Sequence, residues 1–238
     1  SFGVNFYEKL EDGIKQVIEE TYSYKVPISV NLAEENYEYF DMYSLLNKND
    51  LPKAIKTEFE AYCGDKGYNP NVFETRYAII DNLEDKEKLK VIHVSNNKID
   101  LNKRIQQMQG YKLSGVFPIG MSITNLNKFQ PKENALIVNI EGKTTITTVI
   151  NQKIYDVKIL DVGSEDFLTK INLKENSYSK TYEICKETTI YTSEGKELGE
   201  ETTYLEDIMP TLYEIVGQVK KVLNESLEKI EKGGEHDQ

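Results

Sequence analysis

Between residues 139 and 169 the chain sets a glycine-containing turn, a hairpin and a second glycine ahead of a helix. Asn139-Ile140-Glu141-Gly142-Lys143-Thr144-Thr145 sets a glycine and two hydroxyls in one turn, and Gly163-Ser164 precedes Leu168-Thr169 on a following helix. Each residue has a plain reading. Paired threonines such as Thr144-Thr145 suit a strand, and Glu141 and Lys143 are either a new ion pair or the result of drift in an unused loop.

Elsewhere, chemistry is sparse. His93 lies among Val91, Ile92 and Val94 in a strand, and the second histidine, His236, lies in the tail, so no Ser/His/Asp set can be assembled. Asp161 and Glu165 are close together, but charge runs are usually solvated faces. Cys63 and Cys185 are far apart and without metal spacing, which argues against a disulfide framework or a zinc site. No catalytic residue and no metal ligand is assigned.

The elements that would position the turn read clearly. Ala135 to Val138 is a short apolar strand; Thr145 to Ile150 and Ile154 to Leu160 are two more, joined at Asn151-Gln152. A helix follows with Ser164 as N-cap and Glu165 and Asp166 in its first turn. Upstream, residues 5 to 20 carry Phe6, Leu10, Ile14, Val17 and Ile18 on one helical face. Strands are expected at Tyr24 to Leu32 and Tyr37 to Tyr43. A helix over Leu51 to Tyr62 has Asp50 as cap, Pro52 in its first turn and Ile55 and Phe59 inside, and a loop runs from Gly64 to Pro70. Phe73 to Ile80 and Leu89 to Ser95 form a hairpin around Glu84-Asp85-Lys86-Glu87. Then come a helix over Lys98 to Gln109 stopped by Gly110, a strand over Tyr111 to Phe117 and a short helix over Ile119 to Leu126.

Residues 127 to 134, with Pro131, make the best domain boundary. Ser179 to Thr188 reads as a helix and Thr192 to Thr203 as a polar, mobile segment. Tyr204 to Ile230 is a long helix with Leu205, Ile208, Leu212, Ile215, Val219, Val222, Leu223, Leu227 and Ile230 at helical spacing. Pro210 either kinks it or marks its first turn, and Glu231 onward is a frayed tail. The class is α/β, of the α+β kind.

Composition narrows the partners. A net charge of −11 disfavours nucleic acid and anionic lipid as primary partners. With 29% charged and 39% hydrophobic residues the chain is a folding, globular sequence. No apolar run reaches the length of a membrane span, and no signal-peptide pattern opens the chain. Five of sixteen tyrosines, Tyr22, Tyr24, Tyr37, Tyr39 and Tyr43, cluster in one stretch. Strand alternation makes some of them core, and an exposed row would suit peptide recognition; Tyr37 and Tyr39 are the candidate partner-binding residues.

The order strand, glycine turn, hairpin, glycine, helix resembles the second phosphate loop of the actin-like ATPases, above all the PilM/FtsA branch and its type IV pilus assembly family, PilM. That family writes Asp-Ile-Gly-Gly-Gly-Thr-Thr where this chain has residues 139 to 145, and Gly-Gly where it has Gly163-Ser164. The spacing is kept and the chemistry is not: Asn139 has no charge to offer magnesium, and Glu141 adds a negative charge where phosphates would sit. The resemblance implies an actin-like (ribonuclease H-like) subdomain plus a small α+β subdomain. Residues 1-25 would then be a helix of the actin-like core, 26-118 the small subdomain, 119-134 a connection, and 135-238 the actin-like subdomain with its degenerate phosphate loop. Leu51-Pro52 with Ala54-Ile55 and Glu58, and Tyr178 to Lys186, are similar to PilM helices. The family's first phosphate loop and its Gly-Gly adenosine turn have no counterpart, Gly233-Gly234 having no strand before it. The chain is therefore expected to be a piece of a longer protein or a naturally reduced relative.

Three functions follow from the resemblance. The first is a non-catalytic scaffold of the pilus machinery on the cytoplasmic face of the inner membrane, without cofactor and without inserting into the bilayer. It would bind the cytoplasmic N-terminal tail of a PilN-like membrane protein and contact the pilus motor ATPases. The second is an ATPase using ATP and magnesium, with its nucleotide-binding ends outside these residues. The third, an FtsA-like division protein, uses a basic amphipathic C-terminal helix that the acidic tail here does not offer.

Overall fold

The computed structural model describes residues 6–32, 34–47, 49–80, 82–85, 87–126, 134–187 and 205–235. Two units emerge: Ser1–Gln130 with Lys153–Asp156, and Pro131–Gln152 with Val157–Gln238.

The first unit opens with helix α1 (Phe6–Thr21), in which Ile14 and Ile18 are half-buried and Val17 is exposed. Strand β1 is shorter than expected, Ile28–Asn31, and pairs in parallel with β5 (Leu113–Phe117). Pro27 has no N–H to donate, and pairing begins one residue later, where the Ile28 amide donates to the Lys112 carbonyl at 2.9 Å. Strands β2 (Asn36–Tyr43), β3 (Phe73–Ile80) and β4 (Lys88–Asn97) form an antiparallel sheet in the order β2-β4-β3, so the expected hairpin is present.

Helix α2 (Leu51–Lys66) covers one face of that sheet through Leu51, Ile55, Phe59 and Cys63, a stripe with a spacing of four. Met42, Val91, Leu51 and Ile55 form the core beneath it. α2 runs one turn past its expected end because Gly64 tolerates the helix. It stops at Gly67, whose φ of 72° is the left-handed conformation that glycine adopts without strain. Asp50 makes no side-chain cap; the Asn47 carboxamide instead accepts from the Asn49 and Asp50 amides. Helix α3 (Lys98–Gln107) is capped by Asn97, and Gly110 turns the chain with a φ of 101°. The short helix α4 (Ile119–Ser122) passes into a 3₁₀ turn, Ile123–Leu126.

The second unit is built on β6 (Ala135–Ile140), β7 (Thr144–Ile150) and, from Val157 onward, β8 (Lys153–Leu160), in that order. Asn151 and Gln152 both have positive φ, 51° and 66°, which is the two-residue turn that matches strand twist. All seven residues of β7 are buried. Helices α5 (Ser164–Glu175) and α6 (Tyr178–Glu187) precede the long α7 (Leu205–Glu235).

Helix α7 packs Val222 and Val219 on Ile146, Leu160 and Leu136, and Ile208, Thr211 and Ile215 are buried on it as well. Leu223 and Leu227, expected in the same stripe, stand on its solvent side, and Leu212 is half-buried. At 3.6 residues per turn, one face cannot hold every apolar residue of the helix. The expected frayed tail is helical through Glu235, so Gly233-Gly234 lies within the helix. Pro210 sits inside the helix as well, leaving the Glu206 carbonyl without the amide that would normally reach it. The boundary at 127 to 133, the polar segment from 192 to 203 and His236 lie outside the described residues.

Introducing a carboxylate into the α7 stripe should be expensive. Ile215→Asp is expected to cost roughly 3 kcal/mol or more, whereas Lys221→Asp, at an exposed position, should cost under about 0.5 kcal/mol. Urea unfolding of both variants checks this, and equal losses would refute the placement.

Candidate functional site

The turn between β6 and β7 and the start of α5 meet at very short range. A Cβ on Gly163 would lie 2.3 Å from the Glu141 carbonyl oxygen and 2.5 Å from that of Gly142. Gly163 has extended backbone, φ −170°, so the demand for glycine here is one of space. The Ser164 amide donates to the Glu141 carbonyl at 2.6 Å, the Thr144 amide to the Val162 carbonyl at 2.9 Å, and the Glu141 amide to the Lys143 carbonyl at 3.1 Å. Gly163, not Ser164, is the N-cap: its amide donates to Asp166 Oδ2 at 2.8 Å, while the Asp166 amide donates back to the Gly163 carbonyl at 3.2 Å. The amides of Gly163, Ser164 and Asp166 thus bond to carbonyl and carboxylate oxygens of the chain itself.

Side chains around the turn extend this pattern. Asn139 Nδ2 donates to Glu141 Oε1 at 3.1 Å, and Lys143 Nζ donates to Asp161 Oδ1 at 2.9 Å on the open surface. Thr144 and Thr145 are buried within β7 at 0% and 5% exposure, so their hydroxyls belong to the strand and not to the turn's outer surface. Gly142 is unlike Gly163: a Cβ there would meet only Glu165 Oε2, at an ordinary 3.6 Å.

Within the first unit, the predicted tyrosines part company. Tyr22, Tyr24 and Tyr43 are exposed, while Tyr37 and Tyr39 are half-buried. Tyr37 donates its hydroxyl to Glu35 Oε1 at 2.6 Å, and Glu35 accepts the Ile119 and Gly120 amides at 2.8 and 3.1 Å. Burial, followed by the Glu35 carboxylate, pushes the Tyr37 phenol well above its usual range. Lys90 Nζ sits 5.1 Å from the Tyr39 ring centroid. Neither ring is the exposed anchor that sequence clustering suggested.

His93 is structural. Its Nδ1 shares a hydrogen with Glu38 Oε2 at 3.0 Å, and Ser95 Oγ donates to Glu38 Oε1 at 3.0 Å, all three residues being buried. Its ring packs 4.4 Å from that of Phe59. The Cys63 side chain is buried beside them. Among the described residues no group of three or more His, Cys, Asp or Glu is placed to hold a metal, and no helix is long and apolar enough to cross a membrane.

Sequence reading missed a large concave feature of the first unit. A mostly apolar groove of about 900 Å³ lies against the sheet face that carries Val94, Arg76 and Ala78. Leu101, Val116, Phe117 and Met121 complete its apolar wall, with Phe117 exposed over Gly115. Along its floor runs β3, an outer strand whose far edge has no neighbour among the described strands. The only sequence signal for it was the run of apolar residues in β3 and β5, which reads equally well as core.

The fold has solved counterparts. The PilM–PilN type IV pilus biogenesis complex contains a chain that superposes with a TM-score of 0.69 at 16% identity, covering 93% of this chain and 64% of that one. The cytoplasmic domain of EpsL, an inner membrane component of the type II secretion system of Vibrio cholerae, superposes at 0.39 with 10% identity, covering 68% and 60%. No family model matches the chain, and no curated protein matches it. The fold is therefore PilM-like: mixed α and β elements of the actin-like kind. The chain spans about 64% of the length of the PilM-complex chain it matches.

The two glycines of the turn region should respond differently to alanine. Gly163→Ala must push the 141–142 backbone away and should cost about 1–3 kcal/mol, while Gly142→Ala should be close to neutral. Thermal unfolding of the two variants decides between them.

Proposed function

We propose that this chain is a non-catalytic, PilM-like scaffold whose first unit binds an extended cytoplasmic tail of a PilN-like membrane protein in the groove beneath Phe117. Its main support is that groove: apolar, open, and flanked by a strand edge that has no neighbour among the described strands, within a fold shared with a protein solved as a PilM–PilN complex. An extended segment laid there can gain backbone hydrogen bonds from the strand and specificity from the pocketed side chains. The protein then works at the cytoplasmic face of the membrane in pilus or secretion assembly, linking a membrane component to partners in the cytoplasm.

On this reading ATP is not a ligand of the chain. Support comes from the turn at 141 to 143, where Asn139 brings no charge for a metal and Glu141 brings negative charge. The Ser164 amide is already used by the Glu141 carbonyl. The reading of an ATPase finds no comparable support, because an anion at α5 would have to displace backbone carbonyls packed on Gly163.

Two measurements test the proposal. Synthetic peptides covering the cytoplasmic tail of the membrane protein encoded beside this one should bind the full chain. Phe117→Ala should weaken them by ~1–3 kcal/mol, the range for an aromatic interface anchor, with no loss of folding. Binding that ignores Phe117 would move the site elsewhere. Calorimetry with ATP and magnesium should give a dissociation constant weaker than about 100 μM, that is, less than about 5.5 kcal/mol of binding. Tighter binding would restore the nucleotide reading.

A further inference from the structure

The outer edge of β3 has a concavity on each face of its sheet. Arg76 pairs across the ladder with Val94, which lines the large groove; Tyr77 pairs with His93, which lines a second cavity of about 360 Å³ on the α2 side. Because successive residues of a strand point to opposite faces, the two cavities lie above and below one edge. Pro52, Ile55 and Phe59 wall the second cavity, together with Lys56. Their chemistry differs. Among the described residues lining the second cavity, Lys56 and Arg76 are the charged ones and none carries a carboxylate, in a protein with a net charge of −11.

Arg76 lies along this edge. Its Nη1 donates to the Thr75 carbonyl at 2.7 Å and pairs with Glu74 Oε1 at 2.5 Å, while Lys56 holds only an exposed contact with Glu60 at 3.7 Å. Charged side chains of this kind are how proteins keep a free edge from pairing at random. Such surface pairs are weak enough to be exchanged for a ligand's carboxylate.

Resting on the assignment of the groove as a peptide site, we infer that the ligand adds as a strand to β3 and is read on both faces. Apolar side chains enter the groove between Val94 and Phe117, and an acidic side chain at the neighbouring position turns the other way, toward Lys56. The occupant is an extended peptide segment of another protein in which apolar and acidic residues alternate. Its specificity is then set by α2 as well as by the groove, because Lys56 stands on that helix.

Random peptides displayed on phage and selected on the full chain test this without assuming the partner. The selected peptides should converge on apolar–acidic alternation, and hydrogen exchange of the complex should show protection at residues 74 to 78. Lys56→Glu, at an exposed site, should weaken a selected peptide by about tenfold, and replacing the peptide's acidic residue with lysine should restore binding to that variant. Failure to select any binder overturns the inference, as does convergence without alternation, protection away from β3, or indifference to Lys56→Glu. If alternating peptides bind at β3 while the tail of the neighbouring membrane protein does not, the pilus reading falls and the edge site stands.

Discussion

A carboxyl group inside a sheet has to be matched, and Glu38 is matched twice, by His93 and by Ser95 on the adjacent strand β4. A buried polar group left unsatisfied costs about 1–3 kcal/mol, and sliding β2 by one residue would orphan all three at once. That network ties the register of β2 to β4, and β4 in turn carries β3 on its other side. The edge that faces the groove is therefore positioned by a polar contact two strands away. Phe59 of α2 closes over the His93 ring, so helix and sheet share the same anchor.

The second unit depends on a contact of the opposite kind, in which a missing side chain matters. Gly163 lets the carbonyls of residues 141 and 142 come within a distance that no Cβ tolerates. This close approach turns the first amides of α5 inward, onto the chain's own oxygens. The turn, the hairpin and the start of the helix are held together by these backbone contacts.

Sequence legibility divided along the same line. The α2 stripe, the hairpin of β3 and β4, the Asn151-Gln152 turn and the three strands of the second unit were all readable, because period and turn chemistry are local. The reach of α2 past Gly64 was not, since glycine within a helix carries a cost that tertiary packing overrides. The half-burial of Tyr37 was not legible for a long-range reason: its partner Glu35 answers to amides some 84 residues away, and nothing near Tyr37 signals them. On α7, apolar spacing was compatible with one broad stripe, but only the packed neighbours separate Ile215 and Val222 from Leu223 and Leu227.

By itself the sequence determined the elements, the α+β class, the net negative charge and the residue types of the 139 to 145 turn, because residue type and spacing carry these directly. It also carried enough order along the chain to suggest an actin-like frame. Tertiary structure alone decided which tyrosines are buried, that His93 is locked to Glu38, that Gly163 is a spacer, and that β3 is outermost among the described strands of its sheet, with a groove on one face and a cavity beside Lys56 on the other. Each of these depends on which distant strands become neighbours. A one-dimensional pattern reports which face of an element is apolar, and only the folded chain reports what that face meets.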